Sequence, residues 1–253
     1  MRRRAIAAAS AVHRDPLLPD DLPPAGRAVA QALLTRRSVR GFLAEPVPRT
    51  IVTSILMLAA RAPSGTNLQP WKVHVCTGAA RDALSREIVA AHFAATGEHT
   101  EEYAYYPRQW RDPYLARRRK LGWDLYGLLG IAKGDRAAAA QQHARNYTFF
   151  GAPVGLFFTM DRDLELGSWL DNGMFIEAVM IAARAYGLHT CPQAAFTPFH
   201  RIVRRHLAIP DEEILLCGMA LGYLDPDEAA NALNTERAPV EAFTHFHGDA
   251  PDG

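Results

Sequence analysis

The chain has 253 residues, of which 49% are hydrophobic and 22% are charged, and its formal net charge is +1. This length and composition are typical of one large globular domain with an ordinary hydrophobic core. A charge so close to zero argues against a nucleic-acid-binding protein and against attraction to a membrane surface. No apolar run approaches the ~20 residues that a membrane-spanning helix needs. We therefore expect neither nucleic acid nor a membrane as a partner.

The cysteines are Cys76, Cys191 and Cys217, each in a largely apolar stretch of sequence. They are far apart and lack CxxC spacing, so we expect no disulfide framework and no metal site, which fits the reducing cytoplasm. The opening stretch MRRRAIAAASAV places basic residues before a short Ala-rich run. We interpret residues 1–24 as a flexible N-terminal arm rather than a signal peptide, because the apolar run is brief and contains no Leu.

In chain order, apolar periodicity predicts helices over 25–35, 48–62, 79–95, 137–150, 169–186 and 198–207. Alternating or continuous apolar runs predict strands over 71–78, 153–160, 188–193 and 212–225. Few strands among many helices indicate an α+β sandwich. The sequence contains no GxGxxG, GxxxxGK[ST], HExxH or GxSxG. It therefore lacks the signatures of dinucleotide-binding Rossmann units, P-loops, zinc proteases and α/β-hydrolases.

Residues 25–253 are predicted to form a single domain with two unusual segments. Residues 97–135 are rich in Tyr, Trp, Arg and Lys, and they read as a lid or insertion between regular elements. Residues 230–253 form a long, irregular C-terminal tail. The helix at 169–186 is apolar on nearly every face, which predicts burial in the core of a monomer or at a subunit interface.

The segment RRSVRGF contains a candidate anion site. In an extended chain the side-chain period is two, so Arg36, Ser38 and Arg40 project from one face. Two guanidinium groups and a hydroxyl group on one face can bind a phosphate. The alternative is that Arg36 and Arg37 stabilise the C-terminus of the preceding helix, where cations are favoured.

Three further stretches contain candidate ligand contacts. The loop APSGTNLQPW offers the carboxamides of Asn67 and Gln69, which suit the polar edge of a flat heterocycle; the alternative is a turn whose side chains satisfy the backbone. In PQAAF, the small residues Ala194 and Ala195 allow backbone N–H groups to approach a ligand, although a tight strand end explains them equally well. Arg237 in the tail is a candidate anion contact or a partner in a surface ion pair.

These stretches occur in a particular order: RRSVRGF, then ARAPSGTNLQPW, then GLHTCPQAAF after the long apolar helix, then CGMALGYLD, and finally Arg237. Together they resemble the FMN-dependent nitroreductase family over about residues 30–240. The first two motifs and their spacing are the more specific part of the resemblance.

The resemblance implies a nitroreductase-like three-layer α/β/α sandwich around a mostly antiparallel sheet, in an interlocked homodimer with FMN at two interface sites. It implies a ping-pong reaction in which NAD(P)H reduces the flavin and a nitroaromatic, quinone or similar planar acceptor then oxidises it. No catalytic side chain is implied, because N5 of the flavin carries the hydride. The implied cofactor-binding residues are Arg36, Arg37, Ser38, Arg40, Pro63, Ser64, Gly65, Asn67, Gln69, Pro192, Gln193, Ala194, Ala195, Gly222 and Arg237.

Within this set the resemblance implies individual roles. Arg36, Ser38 and Arg237 would hold the phosphate and the ribityl chain, and Arg40 would lie near the pyrimidine edge of the flavin. The segment 63–67 would reach the FMN of the partner subunit. The backbone N–H groups of residues 194 and 195 would surround N5.

The 97–135 segment would form a lid over the flavin, and its candidate substrate contacts are Tyr114, Arg118, Trp123 and Tyr126. The basic run 117–120 would favour an aromatic carboxylate such as a nitrobenzoate, or it is simply a solvated helix face. Two other functions remain open from the sequence. One is a flavin- and O2-dependent oxidase or flavin-fragmenting enzyme of the same fold, and the other is nucleic-acid binding through the basic run.

Overall fold

A computed structural model of the chain describes residues 22–248, so residues 1–21 of the predicted arm and residues 249–253 of the tail lie outside the described part. Its helices are α1 (Pro24–Thr35), α2 (Arg49–Ala59), α3 (Gly78–Ala94), α4 (Tyr114–Leu128), α5 (Arg136–Ala144), α6 (Leu166–Ala185) and α7 (His200–Leu207). Its strands are β1 (Lys72–Thr77), β2 (Val154–Asp161), β3 (His189–Gln193) and β4 (Glu213–Gly222).

The strands form one four-stranded sheet in the order β1-β2-β4-β3. All three neighbouring pairs are antiparallel. The register of β2 against β4 shifts between Phe158 and Thr159, where the ladder contains an irregularity. The predicted antiparallel sheet is therefore confirmed.

Side chains of the central strands alternate between two buried clusters, one on each face of the sheet. On β2, Phe157 packs into the cluster that contains Leu84 of α3 and Val203 of α7. Its neighbours Leu156 and Phe158 pack into the cluster of α2 and α6. Because both faces are covered by helices, β2 and β4 are almost wholly buried and read as continuous apolar runs. This arrangement confirms the three-layer sandwich.

One predicted helix ends earlier than expected. The predicted helix at 137–150 ends as α-helix at Ala144 and continues as a 3₁₀ segment, Arg145–Gly151. Phe149 and Phe150 adopt positive φ angles of 53° and 52° there, and this turns both rings into the core. The ring of Phe149 fills the space where a Cβ on Gly155 would sit, 2.5 Å away. Burial of the two rings therefore outweighs the helical preference of the local sequence.

The 97–135 segment contains more regular structure than its composition suggests. The helix α4 occupies its second half, and none of the residues of α4 is buried. It rests against the 3₁₀ turn Ala229–Ala232 at the start of the C-terminal tail. Among residues 22–248, no helix combines the length and the hydropathy that crossing a membrane requires.

Candidate cofactor site

The arginine segment leaves α1 in an extended conformation and runs beside β3. Ser38 forms a parallel bridge with Thr190, and the N–H of Val39 donates to the carbonyl oxygen of Thr190 at 3.0 Å. Val39 is fully buried, while its neighbours Ser38 and Arg40 line a surface cavity. Arg36, Ser38 and Arg40 therefore line the same cavity, as the alternation predicts, and Arg37 lines it as well.

This cavity, which we call the arginine pocket, has a volume of about 600 Å³. Three segments form its walls: residues 36–40, the tail residues 233–239, and one face of α4. Its charged lining residues are Arg36, Arg37, Arg40, Arg117, Lys120, Arg237, Asp124 and Glu236. Six cations thus face two carboxylates, and the surplus of positive charge favours a dianionic group such as a phosphate.

The carboxylates that the cations do contact leave much of this charge uncompensated. Nζ of Lys120 lies 2.7 Å from Asp124 and 3.4 Å from Glu236, on exposed side chains. Nε of Arg36 is 3.8 Å from Glu177 of α6. Arg237 instead donates to Oγ1 of Thr235 at 2.7 Å and to carbonyl oxygens of the tail. Arg237 is thus held in position by neutral acceptors, so its charge remains available to an anion.

A second cavity of about 480 Å³ shares Arg36, Arg37 and Arg237 with the arginine pocket and contains His189. Burial, together with the nearby charges of Arg184 and Arg37, lowers the pKa of His189 to about 4. Nδ1 of His189 is buried and has no hydrogen-bond partner among the described residues. The imidazole is therefore neutral at physiological pH and adds no further positive charge to the arginines.

The loop of Asn67 and Gln69 lies apart from the arginine pocket of the same chain. It contains the 3₁₀ turn Gly65–Asn67, whose first N–H donates to both carboxylate oxygens of Asp171 at 3.2 and 3.3 Å. Thr66, Asn67 and Gln69 have φ angles of 48°, 61° and 51°. Non-glycine residues in this region cost about 1 kcal/mol or more each, and such strain is concentrated at functional sites. The loop also exposes its carboxamide side chains.

Two further predicted residues of this loop, Pro63 and Ser64, begin the turn. Oγ of Ser64 accepts a hydrogen bond of 3.0 Å from the N–H of Gln69, and Nε2 of Gln69 donates to the carbonyl oxygen of Asn67 at 3.2 Å. These bonds support the turn interpretation from the sequence. They also fix the shape of the loop, which a ligand-binding role requires.

Of the four predicted residues at the end of β3, Gln193 is buried, whereas Pro192, Ala194 and Ala195 are partly exposed. Nε2 of Gln193 donates to the carbonyl oxygen of Asn146 at 2.7 Å, while its Oε1 is buried without a partner among the described residues. Pro192 pairs with β4, and Ala194 and Ala195 open a 3₁₀ segment that continues to Phe199.

Gly222, at the end of β4, has a packing explanation. A Cβ at this position would lie 2.8 Å from Cδ of Pro153 and 3.2 Å from Cδ1 of Phe42. The close approach of these two rings requires a residue without a side chain. This contact does not involve the arginine pocket.

The candidate lid residues lie mostly on the other face of α4. Arg118, Trp123 and Tyr126 line a separate groove, while Arg117 and Lys120 point into the arginine pocket. Tyr114 begins the helix and lies under the guanidinium group of Arg111. The basic run 117–120 is therefore divided between two faces of one helix. The sequence alone did not reveal this division.

Two residues with a positioning role were missed in the sequence. Asp171 orients the loop at residue 65, and an acidic residue within a helix that is apolar on nearly every face was an available signal for it. Asn231 is buried and joins the tail to the arginine segment. No sequence motif marked Asn231.

Within residues 22–248, no group of three or more His, Cys, Asp or Glu side chains is arranged to hold a metal ion.

The sequence model of the nitroreductase family matches residues 33–223. The chain belongs to the nitroreductase family. A 4-nitrobenzoate reductase of Pseudomonas putida is 41% identical over 214 residues, covering 85% of this chain and 93% of the relative. A chloronitrobenzene nitroreductase of Comamonas testosteroni is 38% identical, covering 83% of this chain and 93% of its own length.

Solved structures give the same result for the fold of this nitroreductase. The FMN and NADPH-dependent nitroreductase NfnB from Sphigopyxis sp. strain HMH has a TM-score of 0.84 at 37% identity, covering 87% of this chain and 99% of its own. The FMN-dependent nitroreductase NfnB from Mycobacterium smegmatis, solved in complex with NADPH, has a TM-score of 0.83 at 31% identity, covering 88% and 99%. The predicted family and fold are confirmed, and the family membership makes this chain an oxidoreductase.

Proposed function

We propose that the protein is an FMN-dependent oxidoreductase that uses NAD(P)H to reduce nitroaromatic, quinone or similar planar acceptors. The observation that carries the proposal is the arginine pocket, where residues from the first and the last of the sequence motifs meet around one cavity. The names of its relatives, which include 4-nitrobenzoate reductase and FMN-dependent nitroreductase, support the same activity.

The residues of the arginine pocket fit the phosphate of FMN. Arg36, Ser38 and Arg237 supply two guanidinium groups and a hydroxyl donor in one concave surface. Bidentate guanidinium contacts are well suited to phosphate oxygens. We place the phosphate and ribityl chain here, with Arg37 contributing long-range positive charge and Arg40 supplying a cation toward the flavin ring.

We further propose a homodimer in which each flavin is completed by the partner subunit. The helices α1 and α2 both contact α6, and all three expose large apolar side chains. Leu166 is 81% exposed, Leu170 69%, Met57 65% and Val29 61%. An apolar surface of this kind is typical of a subunit interface. It would bring the strained loop of Pro63, Ser64, Gly65, Asn67 and Gln69 to the flavin of the other subunit.

When bound, FMN supplies the two-electron transfer from NAD(P)H to the acceptor, in two half-reactions that share one surface. The positive charge of Arg40 stabilises negative charge that develops on the bound ring system. Asn67 and Gln69 present both donors and acceptors, which orient a ring with adjacent C=O and N–H groups. The backbone N–H groups of Ala194 and Ala195 are the proposed contacts at the reacting edge. The proposal requires no side chain as acid or base, because water can supply the protons.

The acceptor that the site favours is an aromatic ring with a carboxylate. Arg117 and Lys120 line the arginine pocket from α4. Their positive charges are not needed to bind the phosphate of FMN. A nitrobenzoate would bring one negative charge to them. The 41% identical relative is named a 4-nitrobenzoate reductase.

We also place the protein in the cytoplasm, since Cys76, Cys191 and Cys217 are all free thiols.

The test begins with the visible absorbance spectrum of the purified protein, followed by anaerobic addition of NADH and then NADPH. We expect a flavin spectrum that bleaches with a nicotinamide nucleotide and returns when 4-nitrobenzoate is added. The double variant Arg36→Gln/Arg237→Gln should lose FMN, while the charge-matched control Arg86→Gln/Arg201→Gln should retain it. A protein that stays colourless after incubation with FMN would overturn the proposed function.

The dimer is tested separately by light scattering. The variant Leu166→Ser/Leu170→Ser should become monomeric and lose FMN. The control Phe93→Ser changes a side chain that is 46% exposed on α3, on the other face of the sheet, and should remain dimeric. A wild-type protein that is monomeric with one FMN bound would contradict the shared site.

A further inference from the structure

A third basic cavity lies on the face of α4 that points away from the arginine pocket. This cavity, the α4 groove, has a volume of about 690 Å³ and lies between α4 and the turn that leads into α5. Its apolar and aromatic wall contains Leu115, Trp123, Tyr126 and Ile131. Trp123 is 64% exposed, so one face of a large aromatic ring is available to a ligand. The groove is assigned no part in the binding of FMN.

The charges around the α4 groove are almost all positive. Arg118, Arg119, Lys133 and Arg136 line it. No carboxylate among residues 22–248 forms an ion pair with Arg119, Lys133 or Arg136, and Arg118 instead lies 4.7 Å from the ring centre of Trp110. Uncompensated cations around a concave surface attract a multiply charged anion.

The single acid of the groove is already engaged in the protein. Oδ1 of Asp135 accepts a hydrogen bond of 2.9 Å from the N–H of Ala138 and thereby caps α5. The turn itself is fixed by two further backbone bonds, from Ile131 to Tyr126 at 2.9 Å and from Asp135 to Ala132 at 3.1 Å. Because the turn is held on both sides, the spacing between the cations on α4 and those at 133 and 136 is set before a ligand arrives.

We propose that the α4 groove binds the adenosine 2′-phosphate end of NADPH and so makes NADPH the preferred electron donor. The adenine would stack on Trp123, and the 2′-phosphate and pyrophosphate would lie among Arg118, Arg119, Lys133 and Arg136. Base–aromatic stacking beside arginines is an established mode of nucleotide binding. Four cations suit an adenosine bisphosphate better than a monocarboxylate, which brings a single charge.

The position of the groove is compatible with a donor that also reaches the flavin. A helix with its side chains is about 10–12 Å across. The arginine pocket and the α4 groove lie on either side of α4, and a dinucleotide is long enough to pass around it. The proposal rests on the proposed function, because it assumes a flavin beside the arginine pocket.

The experiment titrates the purified holoprotein with 2′,5′-ADP, 5′-AMP and benzoate and follows the tryptophan fluorescence. We expect 2′,5′-ADP to bind at least about tenfold more tightly than 5′-AMP, because it adds charge-assisted contacts. The variant Arg119→Gln/Arg136→Gln should weaken 2′,5′-ADP by about tenfold or more and raise KM for NADPH, with KM for NADH nearly unchanged. The charge-matched control Arg86→Gln/Arg201→Gln should behave as wild type. In Trp123→Phe most of the fluorescence change should disappear.

Bound FMN is measured in every variant, so that the two proposals can fail separately. A protein without FMN whose fluorescence still responds to 2′,5′-ADP in the expected way would overturn the proposed function and retain the nucleotide site. Full FMN content with equal binding of 2′,5′-ADP and 5′-AMP would overturn the inference, as would an unchanged affinity in Arg119→Gln/Arg136→Gln. Tight binding of benzoate alone would also overturn it, by assigning the groove to a carboxylate.

Discussion

The N–H of Arg40 donates a 2.8 Å hydrogen bond to Oδ1 of Asn231, a residue far along the chain in the C-terminal tail. Nδ2 of the same buried side chain donates to the carbonyl oxygens of Gly41 and Asp225, at 2.9 Å each. One carboxamide therefore fixes the distance between the arginine segment and the tail. Since Arg237 lies six residues further along that tail, Asn231 positions two walls of the arginine pocket.

Replacing this residue should affect stability and cofactor affinity together. Asn231→Ala removes three hydrogen bonds and takes the acceptor from the N–H of Arg40 and the Asn231 donor from the carbonyl of Asp225, which costs about 1–3 kcal/mol. We expect a lower free energy of unfolding in urea and weaker FMN binding. Asn234→Ala, at an exposed position of the same tail, is the control for stability and should stay close to wild type. Unchanged FMN affinity in Asn231→Ala would contradict the positioning role.

The substitution Gly222→Ala distinguishes a packing role of this glycine from a contact with the cofactor. In Gly222→Ala the new methyl group would press against Pro153 and Phe42. Overpacking of this kind costs about 1–3 kcal/mol, so thermal unfolding should occur at a lower temperature. FMN affinity of the folded protein should remain the same. A normal melting temperature with reduced FMN binding would instead show that Gly222 contacts the cofactor.

The strained loop allows a similar separation. Thr66→Gly relieves a β-branched residue at a φ of 48°, so we expect a gain in stability of about 1 kcal/mol. Asn67→Gly relieves a milder strain but also removes the carboxamide. It should leave stability equal or slightly higher and weaken FMN binding in the dimer. Equal FMN binding in Asn67→Gly and Thr66→Gly would exclude a contact between this carboxamide and the flavin.

The lowered pKa of His189 predicts how the free energy of unfolding depends on pH. Burial, Arg184 and Arg37 lower its pKa to about 4 in the folded protein, against about 6.5 in the unfolded chain. Below the unfolded pKa the unfolded chain takes up a proton that the folded protein does not, so stability falls as the pH drops from about 6.5 toward 4. Because the imidazole is only partly buried, solvent screens its charge, and between about pH 7 and pH 4.5 we expect a loss of about 1 kcal/mol.

Urea unfolding of the apoprotein at these two pH values measures the effect. His189→Gln should lose less stability on acidification than wild type, because it has no imidazole to protonate. Bound phosphate should also reduce the loss, since a nearby anion favours the protonated imidazole. The same pH dependence in wild type and His189→Gln would show that other groups are responsible.

The two faces of α4 predict different effects on substrate selection. Arg117→Gln/Lys120→Gln should raise KM for 4-nitrobenzoate roughly fivefold, since an exposed charge pair contributes about 1 kcal/mol. KM for uncharged nitrobenzene should not change. With NADPH at saturation, Arg118→Gln, on the other face, should leave both values at wild-type levels. Equal effects on both substrates would contradict recognition of the carboxylate.

Much of this protein was determined by local sequence. The alternating and continuous apolar runs located all four strands, because side-chain periodicity reports directly on which face is buried. Pro48 and Pro63 marked the two ends of the segment that contains α2. The motif RRSVRGF located the arginine segment, since an extended chain places every second residue on the same side. The family resemblance supplied the roles of these residues, which periodicity alone left open between a cofactor site and ordinary surface features.

Only the tertiary structure decided which segments meet. The basic run of α4 reads as one patch in the sequence, yet helical geometry sends Arg117 and Lys120 to the arginine pocket and Arg118 and Arg119 to a different groove. The role of Asn231 depends on a hydrogen bond to a residue distant in the chain, and such pairings leave no local pattern. The positive φ angles of Phe149 and Phe150 follow from burial of both rings in the core, a long-range packing energy that outweighs the local preference for helix.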